Sequence, residues 1–384
     1  MPKIARQHAT YVETLGRAGH RAASGRSTRG VAMSAMPGSI LDRAVRREPL
    51  DGHDGRSGAV LERVVLDDGT KLVVKTAAPG ADLPGAVTGD PGRELWLWSS
   101  GILGQLPAGV GHAIIDGWQT GDGTIVTVMR DLGDAVVGWR GPITRSRCRR
   151  LLRAATAVHH RFAGQRVARL CPLERRLSLF SPRGMAAAGC DNPFGALVAR
   201  GWEYFAEIAP RDVVAEVFAV LDHPELLASQ LRENGSTLIH GDLWLVNAAL
   251  QPRGVVLLDW GLATEAPAAV ELASFLAGNA SSVRATREQI IDDYRELCGD
   301  LHHEPTLRLA MLAGLAELGW NKALDIAQNP QIAERERADL AWWVTQVRIA
   351  LDTTAPRTPP RSPAGHAARL PVATPGQPSR PRMP

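Results

Sequence analysis

The chain has 384 residues, of which 45% are hydrophobic, and this length and composition can build the cores of two domains or lobes. Its four cysteines lack the paired spacing of zinc sites and disulfide frameworks, which predicts reduced thiols in a cytoplasmic protein. No uncharged run approaches the roughly 18 residues of a membrane span, and no apolar signal core follows the basic start. We therefore expect no membrane partner.

The net charge of +4 is unevenly distributed along the chain. Residues 1–50 carry nine basic and three acidic side chains, and residues 353–384 carry five arginines and no acid. Because the two ends contribute +6 and +5, residues 51–352 together carry about −7. Nucleic acid is therefore an unfavoured partner for this acidic body, since phosphate contacts need a basic face.

Both ends have compositions that are typical of poorly folded chain. Residues 1–38 are rich in Arg, Ala, Gly and Ser, which predicts a flexible basic arm. The alternative is that translation starts at Met33 or Met36 and that the residues before it are not part of the protein. Residues 353–384 contain nine prolines among 32 residues and almost no large apolar side chains. Such a segment buries too little surface to offset the entropy of ordering, so we predict a disordered tail.

Residues 39–132 have the alternating pattern and turn signals of β-hairpins. Four strands are predicted in two hairpins: Ala59–Leu66 with Lys71–Lys75, and His112–Trp118 with Thr124–Met129. A loop, Ala77–Pro91, and a helix, Arg93–Leu103, are predicted between the hairpins. This order indicates a small β-rich lobe with one helix.

Residues 133–352 are mostly helical by pattern, because apolar residues recur near the 3.6-residue period. The clearest helix is Arg145–Phe162. Further helices are predicted at Pro193–Ile208, Arg211–Leu221, Pro224–Glu233, Val270–Gly278, Arg287–Leu297, Thr306–Leu318 and Arg335–Leu351. These segments indicate a larger helical lobe.

Within the helical part, two short apolar runs have the length of buried strands, and each leads into a carboxylate. Thr237–Ile239 precedes Asp242, and Val255–Leu258 precedes Asp259. A Pro-Arg-Gly turn folds the intervening chain into a hairpin, which also carries Asn247. Two acids and an amide at strand ends form a hard-oxygen site suited to Mg²⁺ and phosphate.

The spacing matches a known mechanism of phosphoryl transfer. Protein kinases place a base Asp, four intervening residues and then a metal-binding Asn, with a second metal-binding Asp beyond. Asp242 and Asn247 have this interval, and Asp259 follows twelve residues later. With His240-Gly241-Asp242 and Asp259-Trp260-Gly261, the stretch resembles the aminoglycoside phosphotransferase-like family of small-molecule kinases, whose catalytic loop reads HGDLxxxN.

The resemblance implies an α+β, two-lobed protein-kinase-like fold, with a small antiparallel β-rich N-lobe at 39–132 and a larger, mostly helical C-lobe at 133–352. It also implies transfer of the γ-phosphoryl group of ATP or GTP to a hydroxyl of a small molecule, such as an aminoglycoside, an amino sugar or another metabolite alcohol. Asp242 would act as the base, Asn247 and Asp259 would hold Mg²⁺, and His240 would brace the loop.

One lysine stands out, because only four of the 44 basic residues are lysines and Lys75 ends a predicted strand. A lysine retained there indicates a need for a compact ammonium group instead of a guanidinium fork. By resemblance, Lys75 holds the nucleotide α- and β-phosphates, and Glu94 is the ion-pair partner that orients it. The plainer alternatives are a surface strand lysine and an acid favoured by the helix dipole.

Other nucleotide contacts follow from position. The glycine-containing loop with Gly55, Ser57 and Gly58 precedes the strand that leads to Lys75, and its backbone amides can approach phosphate oxygens. Met129 and Asp131 lie where the hinge of a kinase would face the adenine. A hinge binds through its main chain, so these two side chains carry little information.

Two more residues are singled out. Trp244, two residues after Asp242, can contact the substrate by stacking or a cation–π contact, although core packing is the usual role of a tryptophan. Glu271 begins a Glu-Leu-Ala string that resembles the family's Asp-Leu-Ala. The Glu in place of Asp puts its helix-capping or loop-anchoring role in question.

Three alternatives to a small-molecule kinase are left open. The first is a nucleotide-binding scaffold without turnover. Such proteins usually lose one of four site residues, and this chain has all four: Lys75, Asp242, Asn247 and Asp259. The second is a nucleic-acid-associated protein that acts through its basic ends. The third is a metal-dependent hydrolase, although the chain lacks the histidine-rich ligand set expected of one.

The acceptor of the phosphoryl group is not identified, but the acidic body favours a cationic one. The oligomeric state is not predicted.

Overall fold

The computed structural model describes residues 39–50, 58–139, 141–187 and 193–354. The predicted basic arm and all of the predicted tail beyond Thr354 lie outside the described residues, as do Gly55 and Ser57. Across the described ranges, no helix is long and apolar enough to cross a membrane.

The strands form four sheets within the described residues. Their bounds are β1 Ala44–Pro49, β2 Val60–Leu66, β3 Lys71–Ala77, β4 Val110–His112, β5 Ile114–Gln119, β6 Ile125–Arg130, β7 Ile143–Thr144, β8 Thr237–Ile239, β9 Ala248–Gln251, β10 Gly254–Leu257, β11 Thr264–Ala266 and β12 Val283–Arg284. The largest sheet has the order β1-β2-β3-β6-β5, and the others are β4-β10-β9, β11-β8 and β12-β7.

The helices that the structure describes lie mostly after residue 144. Their bounds are α1 Leu83–Thr88, α2 Arg93–Ser99, α3 Arg145–Phe162, α4 Leu173–Leu177, α5 Pro182–Ala187, α6 Pro193–Ile208, α7 Arg211–Asp222, α8 Pro224–Arg232, α9 Ala268–Asn279, α10 Arg287–Cys298, α11 Glu304–Gln328 and α12 Ala333–Thr354. The helices predicted at Arg145–Phe162 and Pro193–Ile208 are found with the same bounds.

The five-stranded sheet is antiparallel throughout, and its central strand is β3. Alternate residues of β2, β3 and β6 point to one face and build a small buried core there. Lys75 lies opposite Leu61 of β2 and Thr127 of β6. A central strand has no free edge, so the position of Lys75 is fixed from both sides.

Two predictions for the N-terminal part were wrong. The segment Ala77–Pro91 is not a plain loop, because it contains helix α1, whose Leu83 and Val87 are buried. Its Pro and Gly residues suggested a loop, but Pro84 is tolerated in the first turn and Gly89, with φ of 76°, ends the helix.

The predicted strand His112–Trp118 is divided between two sheets. Its first part belongs to β4, which pairs in parallel with β10, and its second part is β5, at the edge of the five-stranded sheet. The apolar run Ala113–Ile115 spans the break, so the sequence pattern could not reveal the change of partner. Through β4, the first part of the chain also joins the hairpin β9–β10, which carries the predicted site.

Helix α11 is the centre of the helical lobe and is buried on nearly all sides. It extends well beyond the predicted Thr306–Leu318, because a helix surrounded by others has no polar face to mark its limits. A side chain at Gly314 would lie 3.0 Å from the carbonyl oxygen of Ala273, so this glycine lets α11 approach α9 closely. The α+β fold with a small antiparallel β lobe and a larger helical lobe is confirmed.

Candidate active site

The loop between β8 and β9 begins with a glycine that no other residue can replace without rearrangement. Gly241 has φ of 81°, and a Cβ atom there would lie 1.9 Å from the carbonyl oxygen of Leu262. Leu262 is held close because β11 pairs with β8, placing Thr264 opposite Ile239. The chain therefore turns sharply at Gly241, and the next side chain, Asp242, lines the cleft between the lobes.

Glu271 of α9 anchors the loop between β8 and β9 through the backbone amides of that loop. Its carboxylate accepts hydrogen bonds from the backbone amides of His240, at 3.1 Å, and of Gly241, at 2.8 Å. His159 Nε2 also lies 2.9 Å from Glu271 Oε2. Burial alone would raise the pKa of Glu271, but the hydrogen bond to His159 lowers it below its usual range. The longer Glu thus makes the anchoring contacts that were in question.

His240 connects the loop to the segment that carries Asp259. Its Nε2 lies 2.9 Å from the carbonyl oxygen of Leu258, and its Nδ1 accepts from the amide of Asp242 at 3.3 Å. Burial lowers the pKa of His240, which favours a neutral ring with the proton on Nε2. The ring also packs against Trp260, with 4.6 Å between centroids. A brace would make these contacts, and that role stays a prediction.

Asp242 and Asn247 are in direct contact. Asn247 Nδ2 donates to Asp242 Oδ2 at 2.8 Å and to the backbone carbonyl of Asp242 at 3.0 Å, which closes the loop on itself. Burial raises the pKa of Asp242 to about 7, with a further contribution from the charge of Asp259. The backbone carbonyl of Asn247 accepts from the amide of Leu258, so the two arms of the hairpin are joined next to Asp259.

Asp259 meets Lys75 across the cleft. Lys75 Nζ lies 2.9 Å from Asp259 Oδ1 and 3.3 Å from Glu94 Oε2. The other oxygen of Glu94 accepts from the backbone amide of Trp260 at 3.1 Å. Asp259 has φ of 61°, an unfavourable conformation for a non-glycine residue that is characteristic of functional sites. The structure thus brings together Lys75, Glu94 and Asp259.

The charges in this cluster depend on one another. Burial alone would lower the pKa of Lys75, but the charges of Asp259 and Glu94 raise it well above its ordinary value. Burial likewise opposes the charge of Asp259, but Lys75 lowers the pKa of that carboxyl. The ammonium and the Asp259 carboxylate therefore stabilise each other in their charged forms.

The cleft has about 510 Å³ of free space, part of it open to solvent. Its charged lining consists of Lys75, Asp82, Glu94, Asp242 and Asp259, and its apolar walls come from both lobes. Asp82, at the start of α1, was not anticipated because it lies in the segment predicted as a loop. Burial raises its pKa to about 6, and Lys75 opposes that shift.

The remaining predicted nucleotide residues are less directly placed. Gly58 has φ of 82°, and a Cβ atom there would lie 2.1 Å from the carbonyl oxygen of Ala81. Met129 is half-buried and is the second-last residue of β6. The carboxylate of Asp131 is bound to Arg63, at 2.7 Å, and to the amide of Gly133, at 2.9 Å. Asp131 could therefore reach a nucleotide only through its backbone or after rearrangement.

Trp244 packs within the helical lobe. Its ring meets that of Trp139 edge-to-face, with 5.8 Å between centroids, and both residues are half-buried. A Cβ atom at Gly278 would lie 2.7 Å from the Trp244 ring, so α9 presses on the same ring. Trp139 and α9 therefore both pack against the Trp244 ring, and a contact of Trp244 with the substrate stays a prediction.

Three buried residues that hold the site carried no recognisable signal in the sequence. Arg93 donates to the carbonyl oxygen of Gly261 at 2.5 Å, and Arg176 donates to that of Gly241 at 2.8 Å. Asn279 accepts from the amide of Leu245 at 3.0 Å. Arginines in helical segments are usually solvated, so their burial depends on tertiary packing that periodicity does not reveal.

The fold and the cleft are those of a kinase-like phosphotransferase: the ammonium of Lys75, on a central strand, contacts Asp259 of the second lobe in a cleft that Asp242 also lines. A sequence profile described as the phosphotransferase enzyme family matches residues 53–308, which is two thirds of the chain. The chain therefore belongs to the phosphotransferase enzyme family. The family and the enzyme class predicted from the catalytic loop are confirmed.

Solved structures with a similar shape include two small-molecule kinases. An aminoglycoside phosphotransferase from Alicyclobacillus acidocaldarius subsp. acidocaldarius DSM 446 is 15% identical, with 85% of this chain and 96% of that chain covered and a TM-score of 0.41. Choline kinase LicA from Streptococcus pneumoniae is 11% identical, with 79% and 95% covered and a TM-score of 0.48. No curated protein gives a significant match.

Proposed function

We propose that this protein transfers the γ-phosphoryl group of ATP, or of GTP, to a hydroxyl group of a small molecule. The observation that carries the proposal is the contact of Lys75 with Glu94 and Asp259 in the cleft that Asp242 also lines. A phosphoryl-transfer site needs a cation for the nucleotide phosphates and a base for the acceptor, and both are available here.

The residues present also fit a Mg²⁺ ion. Both hydrogen bonds of the Asn247 side chain use its amide nitrogen, which leaves the amide oxygen for a cation. Asp259 supplies a carboxylate that is partly exposed to the cleft. Among the described residues, no group of three or more His, Cys, Asp or Glu side chains could hold a metal by itself. Such a site suits the Mg²⁺ ion of a phosphotransferase, because that ion binds one or two protein ligands and completes its shell with phosphate oxygens and water.

Asn247 and Asp259 would therefore hold the ion in the proposed enzyme. When bound, Mg²⁺ neutralises phosphate charge and orients the nucleotide. Lys75 would bind the phosphates as a point charge, and Glu94 would keep its ammonium directed into the cleft. Because Glu94 also holds the amide of Trp260, movement of α2 would affect Lys75 and the Asp259 segment together.

Asp242 would orient the acceptor hydroxyl and accept its proton. In the proposed step, the acceptor oxygen forms a bond to the γ-phosphorus, and the bond between that phosphorus and the β,γ-bridging oxygen breaks. The nucleoside diphosphate leaves with the electron pair of the broken bond, and the acceptor proton moves to Asp242. The carboxylate must be ionised to do this, and its pKa of about 7 allows ionisation near neutral pH.

The free cleft is lined by more acidic than basic side chains, since Asp82, Glu94, Asp242 and Asp259 share it with the single ammonium of Lys75. This charge supports a cationic acceptor, such as an aminoglycoside or an amino sugar, because an anionic one would meet repulsion beside Asp242. Neutral alcohols stay in the proposal, since the charge balance changes when Mg²⁺ and nucleotide bind.

The test is a nucleotide-consumption screen with ATP and GTP across aminoglycosides, amino sugars, choline-like alcohols and nucleosides, followed by mass spectrometry of the acceptor. The expected result is Mg²⁺-dependent appearance of a monophosphorylated acceptor. Asp242→Asn is the matched negative control and should reduce the signal by about 10²-fold or more. Nucleotide binding without any phosphorylated product across the screen would instead support a binding scaffold.

A further inference from the structure

A buried arginine lies directly behind the proposed base. Arg176 of α4 has 3% of its surface exposed, and its Nε donates to the carbonyl oxygen of Gly241 at 2.8 Å. That carbonyl belongs to the peptide bond leading into Asp242. The amide nitrogen of the same peptide bond donates to His240 Nδ1 at 3.3 Å. The peptide plane that precedes the Asp242 side chain is therefore held at both of its polar ends.

Arg176 is itself held by an ion pair within the helical lobe. Its Nη2 lies 2.5 Å from Glu317 Oε1 of α11, and Glu317 Oε2 accepts from Ser274 Oγ of α9, also at 2.5 Å. Glu317 has 6% of its surface exposed. Three helices thus fix the direction of one guanidinium, and the only loop group that it contacts by a hydrogen bond in the described structure is Gly241.

Two helices hold Gly241 from its two sides. Glu271 of α9 binds the amide of Gly241, and Arg176 of α4 binds its carbonyl. Gly241 has no side chain to restrict its rotation, and its φ of 81° is not a preferred value for other residues. These two contacts restrict the backbone torsions at Gly241 that set the direction of Asp242, and His240 and Asn247 hold Asp242 from its other side.

A buried ion pair is weak support for stability, because removing two charges from water offsets much of their attraction. An apolar pair would fill the same space but would not donate to the Gly241 carbonyl. The arrangement is therefore better explained by what the guanidinium does to the loop.

We propose that Arg176 is a positioning residue of the phosphotransferase site: with Glu317 and Ser274 behind it, it fixes the Gly241–Asp242 peptide and so the direction of the Asp242 carboxylate. This inference rests on the proposed function of Asp242 as the base. It assigns a role in turnover to a residue that does not line the cleft.

The test separates positioning from simple charge pairing. Arg176→Gln leaves the Glu317 charge buried without its partner, so both the melting temperature and kcat should fall. In the double variant Arg176→Gln/Glu317→Gln neither charge remains, so the melting temperature should recover most of the loss. If Arg176 positions the loop, kcat of the double variant should stay about 10- to 100-fold below wild type, the scale of a misplaced catalytic group, while KM for ATP changes less than about threefold.

Arg175→Gln is the matched control, because Arg175 is the exposed neighbour on the same helix and its contact is to Val87. It should leave kcat and melting temperature unchanged. If the double variant does not fold, Arg176→Lys replaces it, since lysine keeps a charge for Glu317 but cannot present a fork to two partners at once. That variant should show the same selective loss of kcat.

Amide hydrogen exchange provides a readout that needs no acceptor. Peptides that cover residues 238–250 should exchange faster in the double variant than in wild type, while peptides from β3 should not. Recovery of kcat together with melting temperature, or unchanged exchange in 238–250, would overturn the positioning role. If wild type shows no turnover with any acceptor, the proposed function fails, and exchange alone decides whether Arg176 orders the loop.

Discussion

Lys75 and Asp259 are 184 positions apart, and yet the ammonium of one lies 2.9 Å from the carboxylate of the other. Lys75 belongs to the central strand of the five-stranded sheet, and Asp259 follows the hairpin strand β10. Glu94 completes the contact from α2. The ammonium is bound by carboxylates here, so in the proposed enzyme the nucleotide phosphates would have to compete for it. Neutralising Asp259 with a cation would release Lys75 for the phosphates.

The first prediction follows from this competition. Asp259→Asn keeps the size of the side chain but removes the charge that a hard cation prefers, so Mg²⁺ should no longer tighten ATP binding. Mg²⁺-free ATP affinity should stay within about threefold of wild type or increase, because Lys75 loses a competing anion. Calorimetric titration of ATP into wild type and variant, each with and without Mg²⁺, measures the four affinities.

Asp222→Asn serves as the control for this experiment, because Asp222 is exposed at the end of α7 and does not line the cleft. It should keep the wild-type effect of Mg²⁺. If Asp259→Asn also keeps that effect in full, Asp259 is not a metal ligand in this protein.

The order of elements was largely predictable, because it depends on local signals. The segment between Asp242 and Asp259 shows this well: the Pro-Arg-Gly turn and the apolar run after it were enough to predict a hairpin, and β9 pairs with β10 there. The first apolar run, β8, pairs instead with β11. The fixed interval between Asp242 and Asn247 needed no tertiary information either.

What the sequence could not show depends on contacts between distant segments. Arg93 and Arg176 look like two of many surface arginines, and only the packed structure shows that each donates to a carbonyl of the site. Asp82 was hidden in a segment whose Pro and Gly residues masked helix α1. The pairing of β4 with β10 was missed because periodicity identifies a strand but not its partner.

A second prediction concerns Asp242 itself. Asp242→Asn removes the proton acceptor while keeping a side chain that can still contact Asn247, so kcat should fall by about 10²-fold or more. ATP affinity should change little, because the nucleotide is held by other residues in the proposal. Steady-state kinetics with a confirmed acceptor, together with ATP titration, separates the two effects. A large loss of ATP affinity with kcat retained would contradict the role of base.

Gly241 provides a stability prediction. Gly241→Ala introduces a Cβ atom at 1.9 Å from the Leu262 carbonyl and strains a backbone with φ of 81°, so the loop must shift. The left-handed conformation alone costs about 1–2 kcal/mol in a non-glycine residue, and the clash adds to it. Urea unfolding should therefore show a clear loss of stability. Gly121→Ala, where nothing lies within 4 Å, is the matched control and should be nearly neutral.

The last prediction uses pH to test Asp82. Burial beside the other carboxylates raises the pKa of Asp82 from 3.8 to about 6 in the folded protein. The folded state therefore binds a proton more readily than the unfolded state, and ionisation of Asp82 destabilises the fold. Its unfavourable contribution appears as pH rises above about 4 and is complete somewhat above pH 6. Asp82→Asn removes that charge, so the variant should be more stable than wild type at pH 8, by up to about 3 kcal/mol.

The gain should disappear at pH 4, where wild-type Asp82 is protonated, and urea unfolding of both proteins at pH 4, 6 and 8 measures it. Asp68→Asn gives a control of opposite sign: hydrogen bonds from Thr70 and then Arg43 lower the pKa of Asp68 to about 2. Its ionised form is favoured in the folded state, so this variant should lose stability at pH 8 and approach wild type as pH falls toward 2. A stability difference between Asp82→Asn and wild type that is the same at pH 4 and pH 8 would show that Asp82 is not held in a desolvated, negatively charged cleft.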